Sequence, residues 1–465
     1  MGLDNIVLMT KKEFLHQLRR GIGSAIVELR QSPDRDKYKE LVLRCCLKDI
    51  GYDVQVEGTK GHYLYLAISA LGCQDEFLDA IAEAYMKRLP LRLFLQLTDI
   101  LESYARDGSL RAVIILSNKY IQLKERFYWQ KSFPYKYWEL TQLENLMIIL
   151  MNFRKWKSFT RFVDDAGSII LARKDDFCFE FDELVSSAKE LFGSRRVRGY
   201  LSSAASTSPN VRAFIANSRA VIESAREAPH IDRARQAQEA RVTVTLKSIL
   251  DAAAHQATVS DGPPPYALFT DLLRFARAAS SEQLIDLANH ILAEDNPTVK
   301  ALLLKGFHRV DYPLEVDPLL NMASSANDDL RQAAIRALKR IKNDQVHDLA
   351  VHLLEAGEVE SGIELLYSNW RQCDDLLISK TVMKSQRVTH NMQQDLKEIY
   401  SNSRSDSCGD ILYHVYRNGK CTYCRFGIVK AMDLNGVLSD KVLHECQFDS
   451  YDDTRQLVEE LLRGR

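Results

Sequence analysis

The sequence predicts an all-α chain, an α-solenoid of stacked helical hairpins, and three observations carry that prediction. Apolar residues recur at helical spacing along most of the 465 residues. Glycine and proline are sparse, 20 and 11, and the alternating polar and apolar pattern of strands is hard to find. One segment also repeats itself at a fixed interval of 31 residues. A chain of this length exceeds one ordinary core, so it forms either two or three domains or one elongated array.

Taken in chain order, "DEFLDAIAEAYMKRL" places Phe77, Leu78, Ile81, Ala82 and Tyr85 on one stripe. "LFLQLTDILESYARDG" follows, and Asp107-Gly108 is a helix stop. From Ser186 to Pro265 the composition shifts to Ala, Ser and Arg, with Pro229 dividing helices expected at 210–228 and 230–254. "ATVSDGPPPY", Ala257 to Tyr266, is the best linker and the expected domain boundary. Beyond it, Val299-Lys300 falls on Leu330-Arg331, Leu303 on Ala334, Phe307 on Leu338 and Val310 on Ile341. Such a unit buries its stripe only by stacking on neighbours. The expected divisions are an N-terminal hairpin region (1–185), a connector and linker (186–265), a regular array (266–407) and a Cys-containing capping repeat (408–465).

"DDLRQAAIRALKRI", Asp328 to Ile341, resembles the second helix of a HEAT repeat. Over the whole chain, "YKELVLRCCLKDIGYDVQVEGTKGHYLYLAI" and "YRNGKCTYCRFGIVKAM…ECQFDS" resemble an uncharacterised bacterial HEAT-repeat family. That resemblance implies a fold and a cytoplasmic bacterial setting, and it brings no activity.

Charge is nearly balanced, with 62 basic and 63 acidic residues, so a whole-protein basic field for nucleic acid is absent. The first residues lack the pattern of a signal peptide, and Ile6 stands where a myristoylation signal wants Ser or Thr. No apolar run is long enough for a membrane span. Nine scattered cysteines do not read as a secreted disulfide framework, so a cytoplasmic location is expected.

Three stretches are candidates for function. The first, Asn118 to Phe162, interleaves nine Lys and Arg with Trp and Tyr. Its candidate contact residues are Tyr128, Trp129, Lys131, Tyr135, Lys136, Trp138, Arg154, Lys155, Trp156 and Lys157. Basic heads can neutralise phosphates while aromatic faces stack on bases. The same composition suits a protein-binding hot spot, or aromatics packed between helices with the basic heads reaching outward. HEAT-like arrays that hold DNA include alkylpurine DNA glycosylases. The likeness stops at architecture, because no stretch matches their catalytic region. The Arg-rich "FGSRRVRGYL" reads as a solvated face.

The second candidate, Asp49 to Ile68, reads as an extended inter-helix loop, with Tyr52, Asp53, Glu57 and His62 as contact residues. Its glycines and Lys60 fit neither phosphate-loop spacing. The third is "CTYCRFGIVKAMDLNGVLSDKVLHECQFDS", residues 421–450. Cys421 and Cys424 share a helix face, Cys446 is the expected third zinc ligand, and His414 or His444 the fourth. Two other readings stay open: buried thiols in a terminal repeat without metal, and a redox pair at a helix start. In the metal-free reading Ser450 caps the last helix, with Asp453 completing a capping box. The function expected is non-catalytic: a scaffold or adaptor that binds a macromolecule, most readily a protein, through the concave face. Nucleic-acid binding through residues 118–162 is the alternative. No cofactor is expected, the metal-free terminal repeat standing ahead, and structural zinc is the one the cysteines leave open.

Overall fold

The computed structural model describes residues 9–129, 137–172, 179–218, 244–259, 266–385 and 387–464. Among them there is no strand, so the all-α expectation holds. No described helix is long and apolar enough to cross a membrane. The chain divides into two compact units, one made of residues 1–229 with 444–465 and the other of residues 230–443.

In the first unit, alternate helices pack in two series. Gly61–Leu71, Leu91–Arg106, Tyr137–Arg154 and Asp182–Phe192 each lie against the next, as do Gln74–Tyr85, Leu110–Trp129, Trp156–Ala172 and Pro209–Asn217. The stripe expected on Gln74–Tyr85 is the buried one: Phe77, Leu78, Ile81 and Tyr85 are core, and Ala82 is half-buried. Gln96, buried on Leu91–Arg106, satisfies the end of helix Lys39–Cys46. Its amide donates to the carbonyls of Cys45, Cys46 and Lys48 (3.1, 2.9 and 3.1 Å), and its oxygen accepts from Ile50 N–H at 3.2 Å. Carbonyls left over at a helix end need such a partner when buried. The result anchors the 49–60 segment against Leu91–Arg106.

The last 22 residues belong to this first unit, rather than ending a C-terminal repeat. Two glycines explain why. A Cβ on Gly21, which sits at φ 70°, would stand 2.0 Å from Ser450 Oγ, and one on Gly23 would stand 1.8 Å from the Glu445 carbonyl oxygen. Only a missing side chain allows that approach. Ser450 N–H then donates to Gly21 O at 2.9 Å, and Arg30 lies 4.2 Å over the Phe448 ring. Ser450 therefore does not cap the final helix as expected, since that helix begins at Asp452 and the Ser450 hydroxyl is buried against Gly21.

The second unit carries the internal repeat further than the two copies visible in sequence. Helices Pro297–Leu304, Asp328–Leu338, Val359–Asn369, His390–Asn402 and Thr422–Leu434 start at intervals of 31, 31, 31 and 32 residues. Each packs against the next. Their N-caps, Asn296, Asn327, Glu358, Thr389 and Cys421, occupy one repeat position. Asn296, Asn327 and Thr389 accept from the backbone N–H groups of the first turn, which is why a short polar residue serves there. Residues aligned at the 31-residue offset share burial: Val299 with Leu330, Leu303 with Ala334 and Phe307 with Leu338 are all core.

Two expected boundaries move. Helix Leu246–Val259 packs on Tyr266–Ala278 and Pro297–Leu304, burying Ile249 and Ala253, so it belongs to the second unit and the linker at 257–266 is internal to that unit. The other division falls inside helix Asp440–Cys446. Of the helix expected at 210–228, Pro209–Asn217 is seen, and residues 219–243 lie outside the described ones.

Candidate functional site

The basic, aromatic segment separates into a paired half and an unpaired half. Lys119 is buried, donates to the Lys87 carbonyl at 2.8 Å, and is pushed down to about 8 by burial and by the nearby Arg126. Arg126 pairs with Glu139 at 3.1 Å, and Arg88 reaches the same carboxylate at 3.1 Å. Lys124 and Arg161 both face Asp165, at 3.2 and 3.5 Å. Arg126 and Lys124 thereby tie Leu110–Trp129 to Tyr137–Arg154 and to Trp156–Ala172, Arg88 ties the turn after Gln74–Tyr85 to Tyr137–Arg154, and Arg161 pairs within its own helix. Trp138 is half-buried beside Arg88 and lines a small cavity of about 140 Å³ with Lys119, Arg126 and Glu139. The side chains of Tyr128 and Trp129, and the whole of Lys131, Tyr135 and Lys136, lie outside the described residues.

Arg154, Lys155 and Lys157 are exposed and have no ion pair among the described residues. Lys155 has φ 60°, the left-handed conformation that ends helix Tyr137–Arg154 and starts Trp156–Ala172. Trp156 is packed by Phe159, Phe192 and Tyr200 at centroid distances of 5.4, 5.3 and 5.6 Å. The Arg196 guanidinium stacks on it at 4.3 Å. That contact joins two stretches that read as separate in sequence. Arg195, Arg196 and Arg198, on the first turns of Ser194–Ala205, are exposed and likewise carry no ion pair among the described residues. Trp156 is thus a packing residue that presents a cation, with Arg196 over one face of its ring.

In the second stretch the extended loop is partly helical, with Val54–Glu57 one turn of helix. Glu57 is not a surface contact residue. It is buried, accepts from the backbone N–H groups of Tyr52 and Asp53 at 2.7 and 3.1 Å, and pairs with buried Lys60 at 3.3 Å. Tyr52, Asp53 and His62 are exposed. His62 faces Asp99 and Glu102, with one ligand atom from each residue lying within 4.8 Å of the others. Ser103 Oγ lies 2.9 Å from the Asp99 carbonyl, to which it donates, and 2.7 Å from His62 Nδ1, so the imidazole is held on the Leu91–Arg106 helix. Asp99 accepts from Thr59, yet burial pushes its carboxyl up to about 6; Glu102 pairs with Arg106 at 2.7 Å. Both carboxylates are already engaged by the protein.

Of the cysteines, Cys421 and Cys424 are both buried, and the third metal-competent residue beside them is His390. Ligand atoms of His390, Cys421 and Cys424 all lie within 4.8 Å of one another. Neither His414 nor Cys446 belongs to this group, and Cys446 falls in the first unit. Burial lowers the His414 imidazole below its usual value. The missed ligand was within reach of the repeat: His390 opens one helix of the series and Cys421 caps the next, so the two sit at neighbouring positions at the starts of adjacent helices.

A further cluster escaped sequence reasoning. His308, Arg336, Lys339, Glu364, Tyr367 and Asp395 line a groove of about 390 Å³ in the second unit. Burial raises Glu364 to about 7 and lowers His308 to about 4, and Lys339 pairs with Asp395. Arg336, Tyr367 and Glu398 recur at 31 residues along it.

No protein-family model matches the chain. No curated protein matches it. Among solved structures, an engineered protein aligns over 98% of this chain and 98% of its own at 12% identity, with a TM-score of 0.19. At that score the alignment carries no argument about fold or function.

Proposed function

We propose that the chain is a non-catalytic cytoplasmic scaffold, a HEAT-like α-solenoid of bacterial type that binds another protein through its helical surface. The observation that carries this reading is the set of six exposed cations around and beside Trp156: Arg154, Lys155, Lys157, Arg195, Arg196 and Arg198, with no ion pair among the described residues. Cations held on packed helices and left without carboxylates suit an acidic partner surface, where charge sets association rate and partner choice. A protein partner is favoured over nucleic acid because Trp156 is packed against Phe159, Phe192 and Tyr200 and stacked by Arg196, rather than standing free for a base.

The test is purification of tagged protein at native level, with and without nuclease, beside the charge-reversed variant Lys155→Glu/Lys157→Glu/Arg196→Glu. A defined protein that survives nuclease and is lost from the variant is the expected result. Partners that vanish with nuclease, or that bind the variant equally well, would overturn it. The first of those outcomes would favour the nucleic-acid reading of residues 118–162.

A further inference from the structure

We propose that His390, Cys421 and Cys424 form a zinc site, with His390 Nδ1 and the two thiolates as protein ligands. The geometry fits. Zinc takes sulfur at about 2.3 Å and imidazole nitrogen at about 2.1 Å, so at a tetrahedral angle those two atoms stand about 3.6 Å apart. His390 Nδ1 and Cys424 Sγ are 3.6 Å apart. Two soft thiolates and one imidazole are a donor set that selects zinc over the hard cations.

The site is built from both sides. Gln393, one turn beyond His390 on the same helix and fully buried, accepts from Cys421 N–H at 3.2 Å and donates to Cys421 O at 3.5 Å. It thereby holds the helix that bears the histidine in register with the turn that bears the thiols. Gly419 makes room for that clamp, because a Cβ there would stand 1.9 Å from Gln393 Nε2. Cys421 is the N-cap of Thr422–Leu434, and its sulfur accepts from Cys424 N–H at 3.5 Å, where the helix dipole favours a thiolate. The three ligands join the last two helices of the 31-residue series, so metal binding ties the final repeat to its neighbour, independently of any partner.

The experiment uses the full chain purified without chelator, with zinc measured by inductively coupled plasma mass spectrometry. Near-stoichiometric zinc is expected, lost in Cys421→Ser, Cys424→Ser and His390→Ala, and kept in Cys446→Ser and His414→Gln. Should the ligand variants fail to fold, cobalt titration of the unaltered protein reads the donor set through thiolate charge-transfer and tetrahedral d–d bands. His390→Cys should retain metal and shift those bands. A chain that takes up no zinc or cobalt at micromolar free metal overturns the proposal. So does a Cys421–Cys424 disulfide in protein isolated with its thiols trapped, or zinc kept in His390→Ala and lost in Cys446→Ser.

Discussion

Asp375 offers the sharpest test of how the second unit is held together. Its buried carboxylate opens helix Asp375–Val382 and accepts four hydrogen bonds with no cation among the described residues. Trp370 Nε1 and Tyr400 O–H donate to one oxygen at 2.9 and 2.8 Å, and Ser405 and Ser407 hydroxyls to the other, the latter at 2.8 Å. Replacement by alanine strands the buried Tyr400 and Ser405 donors, while exposed Ser407 can turn to water. At about 1–3 kcal/mol for each of the two buried donors left unmade, Asp375→Ala should cost roughly 2–6 kcal/mol. Asparagine keeps an acceptor for Trp370 and Tyr400, and its amide can donate to the two serine hydroxyls, which rotate to accept. It forfeits only charge assistance, about 1 kcal/mol. Because a chain of two units is not expected to unfold in one step, the readout is native-state hydrogen exchange of amides in Asp375–Val382 and His390–Asn402. An alanine variant within about 0.5 kcal/mol of wild type, or an asparagine variant as costly as alanine, would refute the reasoning.

Three other outcomes follow from the structure. Gly419→Ala drives a methyl into Gln393, which is fully buried, so overpacking and the loss of its bonds to Cys421 should cost about 2–4 kcal/mol in urea-induced loss of helicity. A melt indistinguishable from wild type would show that Gln393 swings freely. Glu364 has its folded value raised to about 7 by burial, above an ordinary value near 4.5, so its proton is held more tightly in the folded state. Its contribution is therefore fully present below about pH 4.5 and lost as pH rises through about 7. Glu364→Gln should flatten that stretch of the stability profile and be the more stable protein at pH 8, by about 1–3 kcal/mol; parallel profiles would count against a buried carboxyl. Lys155→Gly should relieve the left-handed strain and raise stability by about 0.5–1 kcal/mol while weakening capture of an acidic partner. A loss of stability would mean that the lysine side chain holds the turn.

Much of the fold was legible because helical periodicity and capping are local properties. The stripe of Phe77, Leu78, Ile81 and Tyr85 and the interval joining Asn296 to Asn327 need only a few neighbouring residues to be read. The helix expected to carry Cys421 and Cys424 is Thr422–Leu434, capped by Cys421 and followed by Gly436 at φ 71°, for the same reason. The repeat even brings His390 and Cys421 to the starts of adjacent helices, but only for a reader who carries the interval past the second copy, where it lengthens to 32.

What the tertiary structure decided were the partners of long side chains and of backbone that approaches from far along the chain. Glu57 looked like a loop carboxylate and is a buried staple for Tyr52, Asp53 and Lys60. Lys124, one of the nine cations of residues 118–162, belongs to Asp165, whereas Arg196, read as part of a solvated face, stacks on Trp156. Gly21 and Gly23 accept a segment more than 400 residues away in sequence. Periodicity tells which face of a helix is apolar, and so fixes that the faces will be buried. It says nothing about which charge from a distant helix arrives beside a given lysine, because ion pairing and close backbone approach depend on packing between elements.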